Sequence, residues 1–205
     1  MPDFELENKI YGLVVGVDEA GRGPWAGPVV SGAVVFKDKE LPNELLKSLN
    51  DSKKLTAQKR EQLYEVLREE EKKGQVFIGV GQASVEEIDQ LNILQATFLA
   101  MKRATDELKF QPHAVLVDGN QVPKNLNLPC QTVVKGDGKS FSIAAASVVA
   151  KVYRDRLMKS LAVQYPYYAF EKNAGYGTKI HIEGLKKYGV TPAHRKSYKP
   201  VKEFF

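Results

Sequence analysis

Four acidic residues stand where apolar runs give way to glycine. In VVGVDEAGRG (residues 14–23), Asp18 and Glu19 close an aliphatic run and are followed by Gly21, Arg22 and Gly23. In VLVDGN, Asp118 ends a second apolar run and Gly119 follows at once. In VVKGDGKS, Asp137 lies between Gly136 and Gly138, just ahead of a small-residue helix. Ligands of open α/β sheets collect at the carboxyl ends of strands. Carboxylates brought there from separate segments repel one another unless cations hold them. Oxygen donors without a Cys or His cluster suit Mg²⁺ or Mn²⁺ rather than zinc. Taken singly, Asp118 also fits a turn residue and Asp137 an acid at a helix N-terminus. Asp18 with Glu19 has no comparable packing role, and the set favours a metal site. Successive strand residues point to opposite faces. The pair can therefore share a site only if the strand ends or twists there, which the glycines at 21 and 23 make easy.

Other chemistries find less support. GDGKS resembles the tail of a phosphate-binding G-x-x-x-x-G-K-[ST] loop, but the position of its first glycine is Val133. GVGQAS (79–84) lacks the third glycine of a dinucleotide fingerprint. None of His113, His181 and His194 neighbours a candidate nucleophile, so an acyl-transfer triad has no sequence support.

The elements that must position the acids follow from hydrophobic patterning. LVVGVD (13–18) and PVVSGAVVF (28–36) read as strands joined by a Gly-rich turn, and QVFIGVGQA (75–83), AVLVD (114–118) and CQTVV (130–134) as three more. Residues 56–73 form a helix with Thr56 as N-cap and Leu63, Val66 and Leu67 facing inward. Ser84 and Glu87 have capping-box spacing. A longer helix spans about 92–108, and 140–163 is a small-residue helix that becomes basic in its second half. Thr178 is placed to cap a further helix that Gly189 ends. The order implies an α/β fold, a mixed sheet with helices on both faces followed by a basic helical extension. The expected division is a core over 1–160 and an extension over 161–205 packed on it as a single folding unit.

Charge supports a polyanionic partner. The chain has 205 residues and a net charge of +5, yet residues 151–205 hold 12 Lys and Arg against 4 Asp and Glu. Such a basic end suits phosphate contacts, although a solubilising surface explains it as well. The longest apolar stretch, IAAASVVA, is too short to span a bilayer. The polar N-terminus is wrong for a signal peptide, and a lone Cys130 fits a reducing compartment. A cytoplasmic location is expected.

GVDEAGRGPWAGPVV, NDSKKLT, EEIDQLNILQAT, VLVDGN, VVKGDGKS…IAAASVVAKVYRDR and GYGTKIH, in that order over about residues 12–202, resemble the bacterial ribonuclease HII family. The resemblance implies a ribonuclease H-like fold with a mixed five-stranded sheet and a C-terminal helical extension, without the additional N-terminal domain of ribonuclease HIII. It implies an endonuclease that hydrolyses the RNA strand of RNA–DNA hybrids and incises 5′ of single ribonucleotides in duplex DNA. Two metal ions, Mg²⁺ or Mn²⁺, would leave 3′-hydroxyl and 5′-phosphate ends. On the family's motifs, Asp18, Glu19, Asp118 and Asp137 are the catalytic, metal-binding carboxylates. Gly21, Arg22 and Gly23 read the ribonucleotide, Tyr176 stacks on the next sugar, and Ser52 and Lys53 touch the substrate backbone. Ala174 stands where the family pattern leads one to expect lysine, and Trp25 is bulkier than expected, with a core role favoured over a wall beside the scissile nucleotide.

Two rivals remain: a metal-dependent nuclease acting on DNA junctions, and a non-catalytic nucleic-acid-binding protein. The GRG stretch and Tyr176 oppose the first, and the four acids oppose the second. The tail YKPVKEFF invites a sliding-clamp contact through Val201, Phe204 and Phe205, but Tyr198 replaces the usual glutamine and a docked terminal helix is the better expectation. A monomer is expected.

Overall fold

The computed structural model describes residues 1–49 and 55–205. Five strands form one sheet: β1 (Val14–Ala20), β2 (Val29–Phe36), β3 (Val76–Ala83), β4 (Ala114–Asp118) and β5 (Cys130–Val133), in the order β3-β2-β1-β4-β5. The first three run antiparallel, while β4 and β5 run parallel to β1. β1 is the central strand, and Val15 and Val17 are completely buried. That is why its sequence is apolar at nearly every position.

Helices cover both faces. On one lies α6 (Phe141–Gln164), with α2 (Asn43–Leu49) and α3 (Ala57–Lys72) beside it. On the other lies α5 (Ile93–Asp106), which buries Phe98, Met101 and Ala104 against Val17, Ala33 and Val35. The small residues of α6 permit a very close approach. A Cβ on Gly16 would fall 2.2 Å from the Ser142 carbonyl carbon, and one on Gly32 would fall 2.4 Å from the Ala146 oxygen. Alanine at either position would force helix and sheet apart, at a cost of about 1–3 kcal/mol.

The N-terminus contributes an element that the sequence pattern did not suggest. Helix α1 (Glu5–Asn8) carries Glu7, which is buried and accepts hydrogen bonds from Ser140 Oγ at 2.6 Å and Ser142 N at 3.0 Å. A carboxylate thus sits on the first turn of α6, where the helix dipole favours negative charge. Other expectations need correction in detail. Val66 is exposed, and Tyr64 joins Leu63 and Leu67 on the buried face of α3. Thr178 precedes its helix without capping it, because its Oγ1 instead accepts from Asn173 Nδ2 at 3.3 Å. The capping box at Ser84 and Glu87 forms at the start of α4 (Val85–Leu91), and Thr56 caps α3.

The C-terminal helices α7 (Phe170–Asn173), α8 (Lys179–Tyr188) and α9 (Lys199–Lys202) enclose a separate cluster of Met158, Tyr168, Phe170, Leu185 and Ala193 with Ala26 from the loop after β1. Val201 is fully buried and Phe205 exposed, so the tail docks as a short helix. Among the described residues, no helix is long and apolar enough to cross a membrane.

Within this cluster His181 and His194 are fully buried, their Nε2 atoms 3.0 Å apart. Burial holds both below the ordinary imidazole range, His194 down to about 4, with His181 adding to the effect there. The rings are neutral in the fold, whereas an unfolded histidine takes up its proton near 6.5. The contribution of His194 to stability is therefore present above about pH 6.5 and is lost as pH falls through about 4, and that of His181 falls with pH in the same direction. Thermal unfolding across this interval should show the native chain losing stability relative to a His181→Phe, His194→Phe variant. A constant difference between the two would mean that the rings are not kept neutral.

Candidate active site

The acids reach one end of the sheet from neighbouring strands. β1 does not stop at Asp18, as the sequence suggested, but continues through Glu19 to Ala20, with Asp18 opposite Gly32 and Glu19 opposite Ser31. The break comes one residue later, at Gly21, whose φ of +99° is open to glycine and strained for other residues. β4 lies alongside in parallel, Val17 opposite Val117, so Asp18 and Asp118 leave adjacent strands at the same level. Beyond β5 the chain passes through Lys135 in a left-handed conformation (φ +57°) into a single 3₁₀ turn, Gly136–Gly138. The Gly136 amide donates to Asp118 Oδ1 at 2.6 Å, which ties the Asp137 turn to the end of β4.

Asp18, Glu19 and Asp137 line a cleft of about 380 Å³, together with Gly21, Arg22, Gly23 and Tyr176. Asp118 is not among the lining residues, but it is near enough to Glu19 for their charges to oppose each other. Burial pushes the Glu19 carboxyl above the usual carboxylate range; Arg22 counters this and Asp118 adds to it. As the side chains stand, no group of three or more His, Cys, Asp or Glu among the described residues is gathered tightly enough to hold a metal ion. The acids are engaged locally instead. The Glu19 amide donates to Asp18 Oδ1 at 2.7 Å, Arg22 Nη1 to Glu19 Oε1 at 3.3 Å, and the Gly136 amide to Asp118. Mutual repulsion favours these local partners over a closer approach. Ser52 and Lys53 lie outside the described residues.

The loop carrying Gly21, Arg22 and Gly23 rests on two buried arginines. Arg195 donates from Nη2 to Gly21 O at 2.5 Å, from Nη1 to Arg22 O at 2.9 Å and from Nε to Gly27 O at 2.9 Å. Arg154 donates to the carbonyls of Pro28, Ala26 and Ala174 at 3.0–3.1 Å. Neither is more than 1% exposed. Burial, with Arg195 adding to it, lowers Arg154 to about 10, so it stays charged at neutral pH. Gly21 packs directly on this support, since a Cβ there would lie 2.0 Å from Arg154 Nε. Gly23 faces the other way: its Cβ would sit 3.3 Å from Tyr176 Cε1. Tyr176 itself is about half exposed, its ring forming the cleft wall.

This arrangement can be set beside known proteins. The family model described as Ribonuclease HII matches residues 15–201. A ribonuclease HII of Jannaschia sp. (strain CCS1) is 54% identical over 201 residues, covering 98% of this chain and 96% of the relative. The chain belongs to the ribonuclease HII family. A second ribonuclease HII, from Paramagnetospirillum magneticum, is 53% identical over 204 residues, covering 100% of this chain and 98% of that one. Among solved structures, the ribonuclease H2 of Pyrococcus horikoshii OT3 superposes with a TM-score of 0.76 at 28% identity, covering 94% of this chain and 96% of that chain. The sheet order and flanking helices are those of the ribonuclease H-like fold. As a ribonuclease HII the chain is a phosphodiester-hydrolysing endonuclease of the ribonuclease H type, acting on RNA–DNA hybrids.

The donor set fits the divalent cation that goes with this family: four carboxylates from β1, β4 and the Gly136–Gly138 turn, all hard oxygen ligands. Sequence reasoning missed the arginine support. Arg154 and Arg195 read as part of a basic surface, and only the lack of hydrogen-bond partners for a Gly- and Pro-rich loop hinted that buried donors were needed. It also missed Arg60, which lines the cleft with the acids and with Lys151 of the basic end; the two pair with Asp155 at 3.7 and 2.5 Å. The same two residues border a neighbouring groove of about 900 Å³ that reaches Lys159 and Lys172. Trp25 lies behind the cleft rather than in it. A Cβ on Gly177 would meet its Cζ2 at 2.2 Å, so it acts as support for the Tyr176 turn.

Arg195→Lys tests the support directly. A lysine cannot reproduce the fork to Gly21, Arg22 and Gly27, which leaves buried carbonyls unsatisfied at about 1–3 kcal/mol each. Chemical denaturation should show a loss of roughly 2–4 kcal/mol. A variant as stable as the native chain would show that the carbonyls find other donors.

Proposed function

We propose that this ribonuclease HII incises duplex DNA on the 5′ side of an embedded ribonucleotide, as well as cutting RNA in longer hybrids, and leaves 3′-hydroxyl and 5′-phosphate ends. The observation that carries this reading is that Gly23 and Tyr176 line the same cleft as Asp18, Glu19 and Asp137, with the Tyr176 ring 3.3 Å from where a Cβ on Gly23 would sit. It puts a backbone able to approach a sugar closely, a ring able to cover the next sugar and the acids in one place. At that sugar the 2′-hydroxyl is the group that separates RNA from DNA.

Asp18, Glu19, Asp118 and Asp137 would hold the metal ions. Bound there, a pair of Mg²⁺ or Mn²⁺ ions would supply an activated water and stabilisation of the leaving oxygen. The chain's own residues do the remaining work. Arg22, Gly21 and Gly23 fix the ribonucleotide. Tyr176 packs on the following deoxyribose and excludes a second 2′-hydroxyl. Arg60, Lys151, Lys159 and Lys172 hold phosphates without reading sequence. Ser52 and Lys53 would add backbone contacts. Residues 161–205 work with 1–160 as one folding unit, because Ala26 of the reader loop is packed inside the C-terminal cluster. The enzyme would act as a cytoplasmic monomer in ribonucleotide removal.

Incubation with Mg²⁺ and a duplex holding one ribonucleotide, beside its all-DNA twin, should give a single nick 5′ of the ribonucleotide and none in the twin. Cutting of both, or of neither, would overturn the reading that it incises at a single ribonucleotide. Asp118→Asn should lower turnover by about 10³-fold or more while hybrid binding is retained. Chelation should abolish cleavage and lower Tm, by linkage, relative to the Mg²⁺-bound protein. Tyr176→Ala should reduce cleavage of the single-ribonucleotide duplex more than that of a continuous hybrid, read as kcat/KM on each.

A further inference from the structure

The buried histidines behind the cleft form a hydrogen-bonded chain whose direction can be worked out atom by atom. The Thr191 backbone amide lies 3.0 Å from His194 Nδ1. An amide N–H only donates, so His194 Nδ1 bears a lone pair and its proton is on Nε2. At the other end, His181 Nδ1 is 2.9 Å from the Tyr176 carbonyl oxygen. A carbonyl only accepts, so His181 carries its proton on Nδ1 and a lone pair on Nε2. The 3.0 Å contact between the two Nε2 atoms is then a hydrogen bond from His194 to His181. Both rings are neutral, and all four ring nitrogens are satisfied. A further proton on His181 Nε2 would oppose the His194 Nε2–H, and one on His194 Nδ1 would displace the Thr191 amide, although the Thr191 hydroxyl lies 2.8 Å away.

The two ends of this chain attach to the two walls of the cleft. His194 sits in a segment bridged to Ala26, in the loop that continues from Arg22 and Gly23. The neighbouring Arg195 holds the carbonyls of Gly21 and Arg22 and takes the Trp25 carbonyl with its own amide at 2.8 Å. His181, from α8, holds the carbonyl of Tyr176, which also accepts from the Thr178 amide at 2.8 Å. Tyr168 and Phe170 meet both rings edge-on or tilted, with centroids 4.8–5.9 Å apart, and leave them little room to turn.

We propose that His181 and His194 are positioning residues: their directed hydrogen-bond chain, Thr191 to His194 to His181 to the Tyr176 carbonyl, sets the gap between the Tyr176 ring and Gly23 and thereby the selection of an RNA-to-DNA junction. The proposal rests on the reading of Tyr176 as the residue that covers the sugar after the ribonucleotide. Neither histidine touches substrate; each acts through Tyr176 and the loop.

Replacing both rings with phenylalanine removes the chain while keeping its volume and leaving no half-satisfied ring. For the bond between the rings the exchange is close to neutral, and the Tyr176 carbonyl keeps the Thr178 amide; the Thr191 amide loses its acceptor, a cost to folding rather than to substrate preference. The expected result for the folded His181→Phe, His194→Phe variant is a fall of about tenfold in kcat/KM on a single-ribonucleotide duplex. Cleavage of a continuous hybrid should change much less. A simple packing role would lower both substrates together. In a Tyr176→Ala background the same double replacement should cost little more, because the chain acts through that ring. Equal losses on both substrates, or losses that multiply fully with Tyr176→Ala, would overturn the proposal. ¹⁵N NMR of the native protein gives a test that needs no variant to fold: Nδ1–H on His181 and Nε2–H on His194 are required, and the opposite tautomers would overturn it. If the tautomers are as stated but Tyr176→Ala leaves junction cleavage unchanged, the reading of Tyr176 fails and the proposal falls with it, whereas wrong tautomers leave that reading intact.

Discussion

A loop with no regular secondary structure follows β1 into the cleft, and such a loop cannot satisfy its own carbonyls. Arg154 and Arg195 solve this problem from below. Between them they donate to the carbonyls of Gly21, Arg22, Ala26, Gly27, Pro28 and Ala174. A guanidinium suits the task, since its five donors spread in a rigid plane and it keeps its charge even when buried. Arg154 comes from α6, which packs on the sheet, while Arg195 comes from the segment before α9. The loop carrying Gly21, Arg22 and Gly23 is therefore pinned both to the core and to the C-terminal helices. Its glycines divide the work: Gly21 makes room for Arg154, and Gly23 makes room for Tyr176.

Against this support stands a group of acids that gains nothing in stability from being together. The sheet delivers them because parallel neighbours end at the same level, and the Asp137 turn is held in place by Asp118 itself. Glu19 shows the conflict most clearly, as burial disfavours its charge and Asp118 opposes it further. On the proposed reading, in which these acids would hold cations, such repulsion is accepted in exchange for function. Glu7, seated on the first turn of α6, steadies the segment that follows Asp137 from the N-terminal side.

The C-terminal helices thus have a second role beyond their positive charge. Their aromatic and histidine cluster surrounds Ala26, so the wall that carries Tyr176 and the loop that carries Gly23 share one packed interior. The cations that face the acids come from elsewhere as well: Arg60 lies on α3, in the part of the sequence that is acidic on balance.

Much of this was written in the sequence. Apolar runs ending in an acid and a glycine marked β1 and β4, the Ser84–Glu87 spacing marked the start of α4, and the small residues of 141–150 marked a helix able to press against a sheet. These features are local, since propensity, capping and patterning act over a few residues. The register that ends β1 and β4 at the same level, the burial of Arg154 and Arg195, and the hydrogen-bond partners of His181 and His194 were decided only by the tertiary structure. An arginine on a surface and an arginine under a loop look alike in a string of letters, and a histidine takes its protonation from neighbours in space. Residues 26 and 194, or 7 and 140, become partners only when the sheet and its helices bring them together.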